Sequence, residues 1–157
     1  MITDYRNVTL RGGFWKSKED LNRDVTINAV YDRFYESGRI DAFKCEWKEG
    51  DPKQPHFFWD SDVAKWIEGV SYELKKERNR ELEAIVDGIV DGIVKNQCED
   101  GYYNIYFTMF FPELRFSDRD KHELYCAGHL IEAAVAYFEA TGKRKFLDSM
   151  CRYADYI

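Results

Sequence analysis

The sequence predicts an all-α protein built from helical hairpins. Apolar residues recur at helical spacing over most of the chain, and Gly- or Pro-containing breaks divide them into separate segments. Two of the segments resemble two others further along the chain, where Val135-Ala136-Tyr137 corresponds to Val70-Ser71-Tyr72. Such an internal repeat is expected for repeated hairpins that bury a core by stacking. The 157 residues suffice for a single domain, predicted to span residues 1–157.

The first predicted helix begins at Ser17, which forms a capping-box pattern with Asp20, and it ends before Gly38. Residues 8–10 precede it as a short strand or an extended arm. Residues 39–59 contain the turn formers Gly and Pro, and we expect them to be irregular.

The second predicted helix begins near Asp60, and the third begins after a polar break at residues 76–79. Gly88 and Gly92 of the third helix either admit a close neighbour or have no structural role. The apolar stripes are Val63, Trp66, Ile67, Val70 and Leu74 in the second helix, and Leu82, Ile85, Val86, Ile89, Val90, Ile93 and Val94 in the third.

A long connection at residues 97–119 leads to the fourth predicted helix, at about 120–140, which ends at Thr141–Gly142. The fifth begins near Lys143, with Phe146, Leu147, Met150, Cys151 and Ala154 as its stripe. Its pattern is unfinished at Ile157, so we expect the chain to be part of a longer domain.

The fourth helix carries most of the functional information. We expect its apolar side to pack on other helices and its opposite side, which has few Lys or Arg, to line an enclosed pocket. The apolar side is Leu124, Ala127, Ile131, Ala134, Val135 and Phe138, and the polar side is His122, Tyr125, His129 and Glu132. Each histidine is either a substrate ligand or a structural residue bonded to a carbonyl.

Metal binding is not predicted for this chain. His122 and His129 are seven residues apart, which is two helical turns, whereas two ligands of one ion are usually four apart. The four cysteines, Cys45, Cys98, Cys126 and Cys151, form no C-x-x-C pair, and we expect reduced thiols.

Trp59, Asp60 and Asp62 form the second group of candidates. An Asp at a helix start most often caps exposed N–H groups. The aromatic run that ends at Trp59 alternatively indicates a pocket rim, where aromatic faces stack on sugar C–H surfaces. Glycosidase chemistry needs two groups that flank the scissile bond, and the sequence alone fixes no such pair.

Charge and hydropathy exclude several partners. The formal net charge of −6 argues against non-specific nucleic-acid binding. No apolar run is long enough to span a membrane. Residues 1–6 show no signal-peptide pattern, so a cytoplasmic location is expected.

Several blocks, in order, resemble the N-terminal part of the β-L-arabinofuranosidase family of glycoside hydrolases. They are Gly13-Phe14-Trp15, Gly38-Arg39-Ile40-Asp41-Ala42-Phe43, Phe58-Trp59-Asp60-Ser61-Asp62-Val63-Ala64-Lys65-Trp66-Ile67-Glu68, Asp100-Gly101-Tyr102, His122-Glu123-Leu124-Tyr125 and Gly128-His129-Leu130-Ile131-Glu132-Ala133. The resemblance covers nearly the whole chain, and its Trp-Asp-Ser-Asp and His-Glu-Leu-Tyr blocks are the most specific.

The resemblance implies the N-terminal portion of an (α/α)6 toroid whose cavity binds a furanose. It also implies a zinc-bound cysteine nucleophile and a glutamate acid/base, both downstream of this region, so that this chain alone is inactive and holds no catalytic residue. The four cysteines do not match the family's zinc cluster. His122 matches a substrate-contacting histidine, and Asp60 and Asp62 match the pocket rim.

Two alternatives stay open at this stage: another (α/α)6 sugar enzyme, such as an unsaturated-uronide hydrolase or an epimerase, and a non-catalytic helical-hairpin binding module. For the leading interpretation the partner is a carbohydrate substrate. Exposed apolar stripes on the third and fifth helices are expected to favour self-association.

Overall fold

The structure is a computed structural model that describes residues 7–157, and within that range it contains helices and no strands. The all-α prediction is therefore confirmed, and of the two alternatives for residues 8–10, a short strand or an extended arm, the strand does not form. Residues 1–6, on which the prediction of no signal peptide depends, lie outside the described residues. No helix in the described range has both the length and the apolar character needed to cross a lipid bilayer.

A bent helical segment comes first. α1 (Gly13–Leu21) runs through a π-helical turn at Asn22–Thr26 directly into α2 (Ile27–Glu36). The predicted start at Ser17 is wrong, because the helix already begins at Gly13. The Ser17 hydroxyl lies inside the helix and donates to the carbonyl of Phe14. The end is as predicted: Gly38, with φ of 85°, follows the last turn in a left-handed conformation that suits glycine.

The first hairpin consists of α3 (Trp59–Lys76) and α4 (Arg80–Asn96). Asn79 caps α4 by accepting hydrogen bonds from the N–H groups of Glu81 and Leu82. Every predicted stripe residue of α3 is buried, and so are those of α4 apart from the half-buried Ile85 and Val94. The period of these apolar residues therefore predicted both buried faces correctly.

Gly92 of α4 admits a close neighbour, although that neighbour is not a helix. A Cβ at this position would lie 2.7 Å from the carbonyl oxygen of Phe43, in a 3-10 turn at Asp41–Lys44. Asn96 donates to the same carbonyl, at 3.1 Å. A Cβ at Gly88 would meet no atom within 4 Å, so only one of the two glycines has a packing role.

The long connection contains a helix that the sequence did not predict. α5 (Ile105–Phe110) forms because Asn104 caps it, accepting from the N–H of Phe107, and because Ile105 and Phe107 bury their side chains in the core. Short 3-10 turns at Pro112–Leu114 and Arg119–Lys121 complete the connection.

The second hairpin consists of α6 (Glu123–Thr141) and α7 (Lys145–Tyr156). α6 ends at Gly142, with φ of 75°, as predicted. The second hairpin follows the first at a nearly constant spacing along the chain, since α6 corresponds to α3 and α7 to α4. The internal repeat predicted from the sequence is therefore a repeated hairpin.

The two hairpins lie side by side in two layers of parallel helices. We call α3 and α6, the first helix of each hairpin, the inner helices, and α4 and α7 the outer helices. Contacts between α3 and α6 join their starts and their ends, which makes them parallel, and α4 and α7 are joined in the same sense. The joining pairs are Lys65–Tyr125, Lys75–Glu139, Lys145–Asp91 and Ser149–Gln97. The starts of α3 and α6 therefore lie at the same end of the molecule.

The predicted buried face of α6 is wrong for most of its residues. Leu124 and Val135 are 59% and 42% exposed, and Ile131 and Phe138 are half-buried. Only Ala127 and Ala134 of the predicted face are buried, and the other buried apolar residues of α6 are Cys126, Leu130, Ala133, Ala136 and Tyr137. α6 is apolar on most of its circumference, so small alanines that allow close approach decide the packing, and hydropathy does not.

The predicted exposure of the stripe is wrong for α4, which buries it, and holds only in part for α7, where Phe146 and Met150 are buried, Leu147 is half-buried, and Cys151 and Ala154 are exposed. The large exposed apolar side chains lie elsewhere. In α1 no residue is buried, and Phe14 and Trp15 are 64% and 70% exposed.

Candidate functional site

A cleft of about 290 Å³ lies at the shared end of the inner helices, between the starts of α3 and α6. Small-molecule pockets typically begin at roughly 300 Å³, so the cleft suits a small ligand or one part of a larger ligand. Its lining is Phe58, Ser61, Asp62, Lys65, His122 and Tyr125.

His122 lines this cleft from the N-terminus of α6. Its backbone is left-handed, with φ of 58°, an uncommon conformation that is associated with functional positions in proteins. The ring lies 6.1 Å from the Phe58 ring and 5.9 Å from the Tyr125 ring. The prediction of an enclosed hollow does not hold within residues 7–157, because His122 is exposed and the cleft is open.

The neighbouring residue Glu123 holds His122 in place. Glu123 is buried, and its carboxylate accepts hydrogen bonds from the Tyr102 hydroxyl and from the N–H of Phe116. These bonds tie the loop before α6 to the start of the helix. His122 is thus presented from a rigid element, as binding residues require.

Tyr125 forms the wall of the cleft one turn further along α6. Its hydroxyl accepts a hydrogen bond of 2.7 Å from Lys65 Nζ of α3, which also lies 4.6 Å from the ring centroid. The contact joins the two inner helices and leaves half of the Tyr125 surface exposed. An exposed aromatic face beside polar groups is a typical sugar-binding feature.

Asp62 reaches the cleft from α3, whereas Trp59 does not. Arg39 Nε donates to Asp62 Oδ2 at 3.0 Å, and the Arg39 guanidinium lies 5.1 Å from the Trp59 ring centroid. Trp59 is only 9% exposed. It therefore supports the arginine from within the core and does not form the predicted rim.

Asp60 is fully buried and has a structural position. Its Oδ1 accepts a hydrogen bond of 3.1 Å from the N–H of Ile105, the first residue of α5, and its Oδ2 has no hydrogen-bond partner among the described residues. Burial raises the pKa of this carboxyl to about 7. Asp60 therefore caps α5, and it lies neither at the cleft nor in a cap of its own helix.

His129 lies deeper along α6 and outside the cleft. It is half-buried, and its ring packs edge-on against Tyr125 at 4.5 Å. The structure thus brings His122, Tyr125 and Asp62 together, and it separates them from Trp59, Asp60 and His129. Lys65 was missed by the sequence analysis, although its position one turn after Asp62 on the same helix face was the available signal.

The cysteines of the described chain do not fit a zinc-bound nucleophile. No group of metal-ligating side chains within residues 7–157 includes a cysteine. Burial raises the pKa of Cys45 and of Cys126 to about 12, the opposite of the shift that a reactive thiolate needs. No catalytic step is therefore assigned to these thiols.

Comparison with known proteins bears on this geometry. The family model described as "Beta-L-arabinofuranosidase, GH127 catalytic domain" matches residues 7–157. The chain belongs to this family. A non-reducing end beta-L-arabinofuranosidase from Bifidobacterium longum subsp. longum is 42% identical over 103 residues, covering 62% of this chain and 16% of the relative.

Solved structures of the same family are similar to this chain. The crystal structure of Ara127N-Se, a GH127 beta-L-arabinofuranosidase from Geobacillus stearothermophilus T6, has 45% identity and a TM-score of 0.87, covering 96% of this chain and 25% of that one. The GH127 beta-arabinofuranosidase BT3674 has 32% identity and a TM-score of 0.86, covering 96% and 26%.

The fold prediction is confirmed by these GH127 relatives: the two hairpins are an N-terminal portion of an (α/α)6 toroid. The chain spans about a quarter of the length of the solved relatives.

Proposed function

We propose that residues 7–157 form one wall of the sugar site of a β-L-arabinofuranosidase-type glycoside hydrolase that acts on terminal arabinofuranosides of plant-type glycans. The observation that carries the proposal is the cleft at the shared end of α3 and α6, where His122, Tyr125 and Asp62 converge. Family membership supports the same substrate class and favours it over the uronide hydrolase, the epimerase and the non-catalytic module.

The wall offers complementary contacts to a furanose. His122 presents two ring nitrogens. One nitrogen of an imidazole donates a hydrogen bond and the other accepts one, so this side chain suits a sugar hydroxyl as either acceptor or donor. Phe58 and Tyr125 flank it with aromatic surface for the sugar C–H groups. Asp62, oriented by Arg39, accepts from a second hydroxyl.

The described residues bind and orient the sugar, and they do not complete the chemistry. Retaining hydrolysis needs an acid/base and a nucleophile about 5–5.5 Å apart. Asp62 is paired with Arg39, Asp60 is buried away from the cleft, and the buried thiols are protonated at neutral pH. We therefore propose that the rest of a complete catalytic domain supplies both groups. The cytoplasmic location remains a prediction.

A chimera tests the proposal. Residues 7–157 replace the matching quarter of the Geobacillus stearothermophilus T6 enzyme, and hydrolysis of a synthetic β-L-arabinofuranoside is measured. We expect turnover by the chimera and none by the 157-residue chain alone. A folded chimera without turnover would contradict the proposed function. Activity that survives a strong chelator would indicate instead a zinc-independent sugar enzyme.

A further inference from the structure

We propose that Glu68, His129 and Glu132 form a binding site for one divalent transition-metal ion between the middles of α3 and α6. The site shares no residue with the cleft at the helix starts, and it contains no cysteine. It is therefore separate from the cysteine-zinc centre that the family resemblance implies.

The three donor groups already lie together. Each offers one ligand atom, and these atoms are all within 4.8 Å of one another. Two ligands that bind one ion at about 2.1 Å are at most about 4.2 Å apart, so small rotations of the side chains close the site.

The positions on the helices suit a shared ion. His129 and Glu132 are three residues apart and therefore project from the same face of α6. Carboxylate-bridged metal sites of helical bundles use the same i, i+3 spacing in the order Glu-x-x-His, and here the order of the two residues is reversed. Glu68 approaches from α3 because the two helices run parallel at this depth.

His129 supplies an independent indication of a missing partner. Its Nδ1 is inaccessible to solvent and has no hydrogen-bond partner among the described residues. Glu132 Oε2 lies 3.2 Å away, within ion-pair distance, so this nitrogen and this carboxylate already face one another. A buried unsatisfied nitrogen calls for a physical explanation, and a bound ion is one.

The charges and a supporting hydrogen bond favour a cation. Two carboxylates, those of Glu68 and Glu132, face the His129 imidazole. Tyr72 donates to Glu68 Oε1 at 2.5 Å, a hydrogen bond that orients the carboxylate. Nitrogen and oxygen donors together favour ions such as Zn²⁺ and Co²⁺ over Mg²⁺ or Ca²⁺.

This site departs from the sequence prediction of no metal. The prediction weighed the pair His122 and His129 and the four cysteines. The third ligand proposed here comes from Glu68, which lies in the other hairpin and far from His129 along the chain. Only the parallel packing of α3 on α6 brings the three side chains together.

Calorimetric titration of Zn²⁺ into the 157-residue chain tests the site, with Co²⁺ absorption as a second readout. We expect one ion per chain and a cobalt spectrum without a sulfur-to-metal charge-transfer band. His129→Ala and Glu132→Gln should each raise Kd at least ten-fold, since each removes a ligand. His122→Asn is the matched control, because it removes an imidazole from the same helix and suits a left-handed backbone; it should leave Kd unchanged.

Three results would overturn the proposal: no binding to the folded wild-type chain, an unchanged Kd in both ligand variants, or a cobalt spectrum dominated by thiolate. Glu132 is exposed, so its substitution leaves the fold intact and keeps the test decisive if His129→Ala fails to fold. Circular dichroism checks the fold of each variant.

Discussion

The two hairpins begin differently, although their helices repeat at a nearly constant spacing along the chain. Each inner helix carries a buried carboxyl group in its first turn: Asp60 in α3 and Glu123 in α6. Asp60 has one oxygen bonded to the N–H of Ile105 and one without a partner among the described residues. Glu123 uses both oxygens, which accept from Tyr102 and Phe116.

The difference shows that burial of a carboxyl has opposite consequences in the two hairpins. A half-satisfied carboxyl resists ionisation, so Asp60 lowers the stability of the fold wherever it is charged. A fully bonded carboxylate anchors its surroundings, so Glu123 secures the loop that presents His122. The start of α6 is therefore firmly held, whereas the stability of the packing at the start of α3 depends on pH.

The largest expected effect concerns Asp60. Its folded pKa of about 7 lies above its ordinary value of 3.8, so the native state binds more protons than the unfolded state between these values. The free energy of unfolding should therefore fall as pH rises from about 4 to 7, by on the order of 4 kcal/mol from this group. Asp60→Asn, which cannot ionise, should remove that decline in urea unfolding curves.

Wild type and Asp60→Asn should thus differ more at pH 7 than at pH 4, with the variant relatively more stable at the higher pH. Curves that stay parallel across this range would show that Asp60 ionises freely, and the contrast between the two hairpins would disappear.

Loss of the Glu123 carboxylate should have the next largest effect. Glu123→Ala leaves the Tyr102 hydroxyl and the Phe116 N–H without their acceptor, and we expect unfolding to become easier by about 3 kcal/mol. Glu132→Ala, an exposed substitution on the same helix, should change stability by less than about 0.5 kcal/mol. Equal urea midpoints for the two variants would mean that Glu123 anchors nothing.

A smaller effect is expected in the outer helix of the first hairpin. Gly92→Ala would place a Cβ 2.7 Å from the Phe43 carbonyl, a backbone contact that cannot yield easily, and should destabilise by about 2 kcal/mol. Gly88→Ala meets open space and should stabilise by about 1 kcal/mol through helix propensity. Thermal unfolding of the two variants distinguishes them, and shifts of the same sign would contradict the packing described.

Much of the fold could be predicted from the sequence. The stripes of α3 and α4 are regular, and Gly38 and Gly142 mark helix ends where a left-handed residue is needed. The buried face of α6 could not be predicted, because alanines and larger apolar residues occur around most of the circumference of that helix, and tertiary packing buries Leu130 while Leu124 is 59% exposed. The helix at Ile105–Phe110 was missed although its cap, Asn104, stands in the sequence.

The candidate site was predicted in part. His122, Tyr125 and Asp62 do meet in one cleft, since their helices start at the same end. The placement of Asp60 depended on Ile105, a distant residue in the sequence, and that of Trp59 depended on Arg39. Such partners are set by tertiary packing, and local patterns do not show them.

The most direct test of the sugar site compares two substitutions in the chimera that carries residues 7–157. His122→Asn should lower kcat/KM for the β-L-arabinofuranoside by about 10- to 100-fold, the loss of one hydrogen bond made to the sugar. Arg119→Ala, a change in an exposed side chain of the same loop, should leave kcat/KM unchanged. Equal kcat/KM values for the two variants would contradict a role for His122 in binding the sugar.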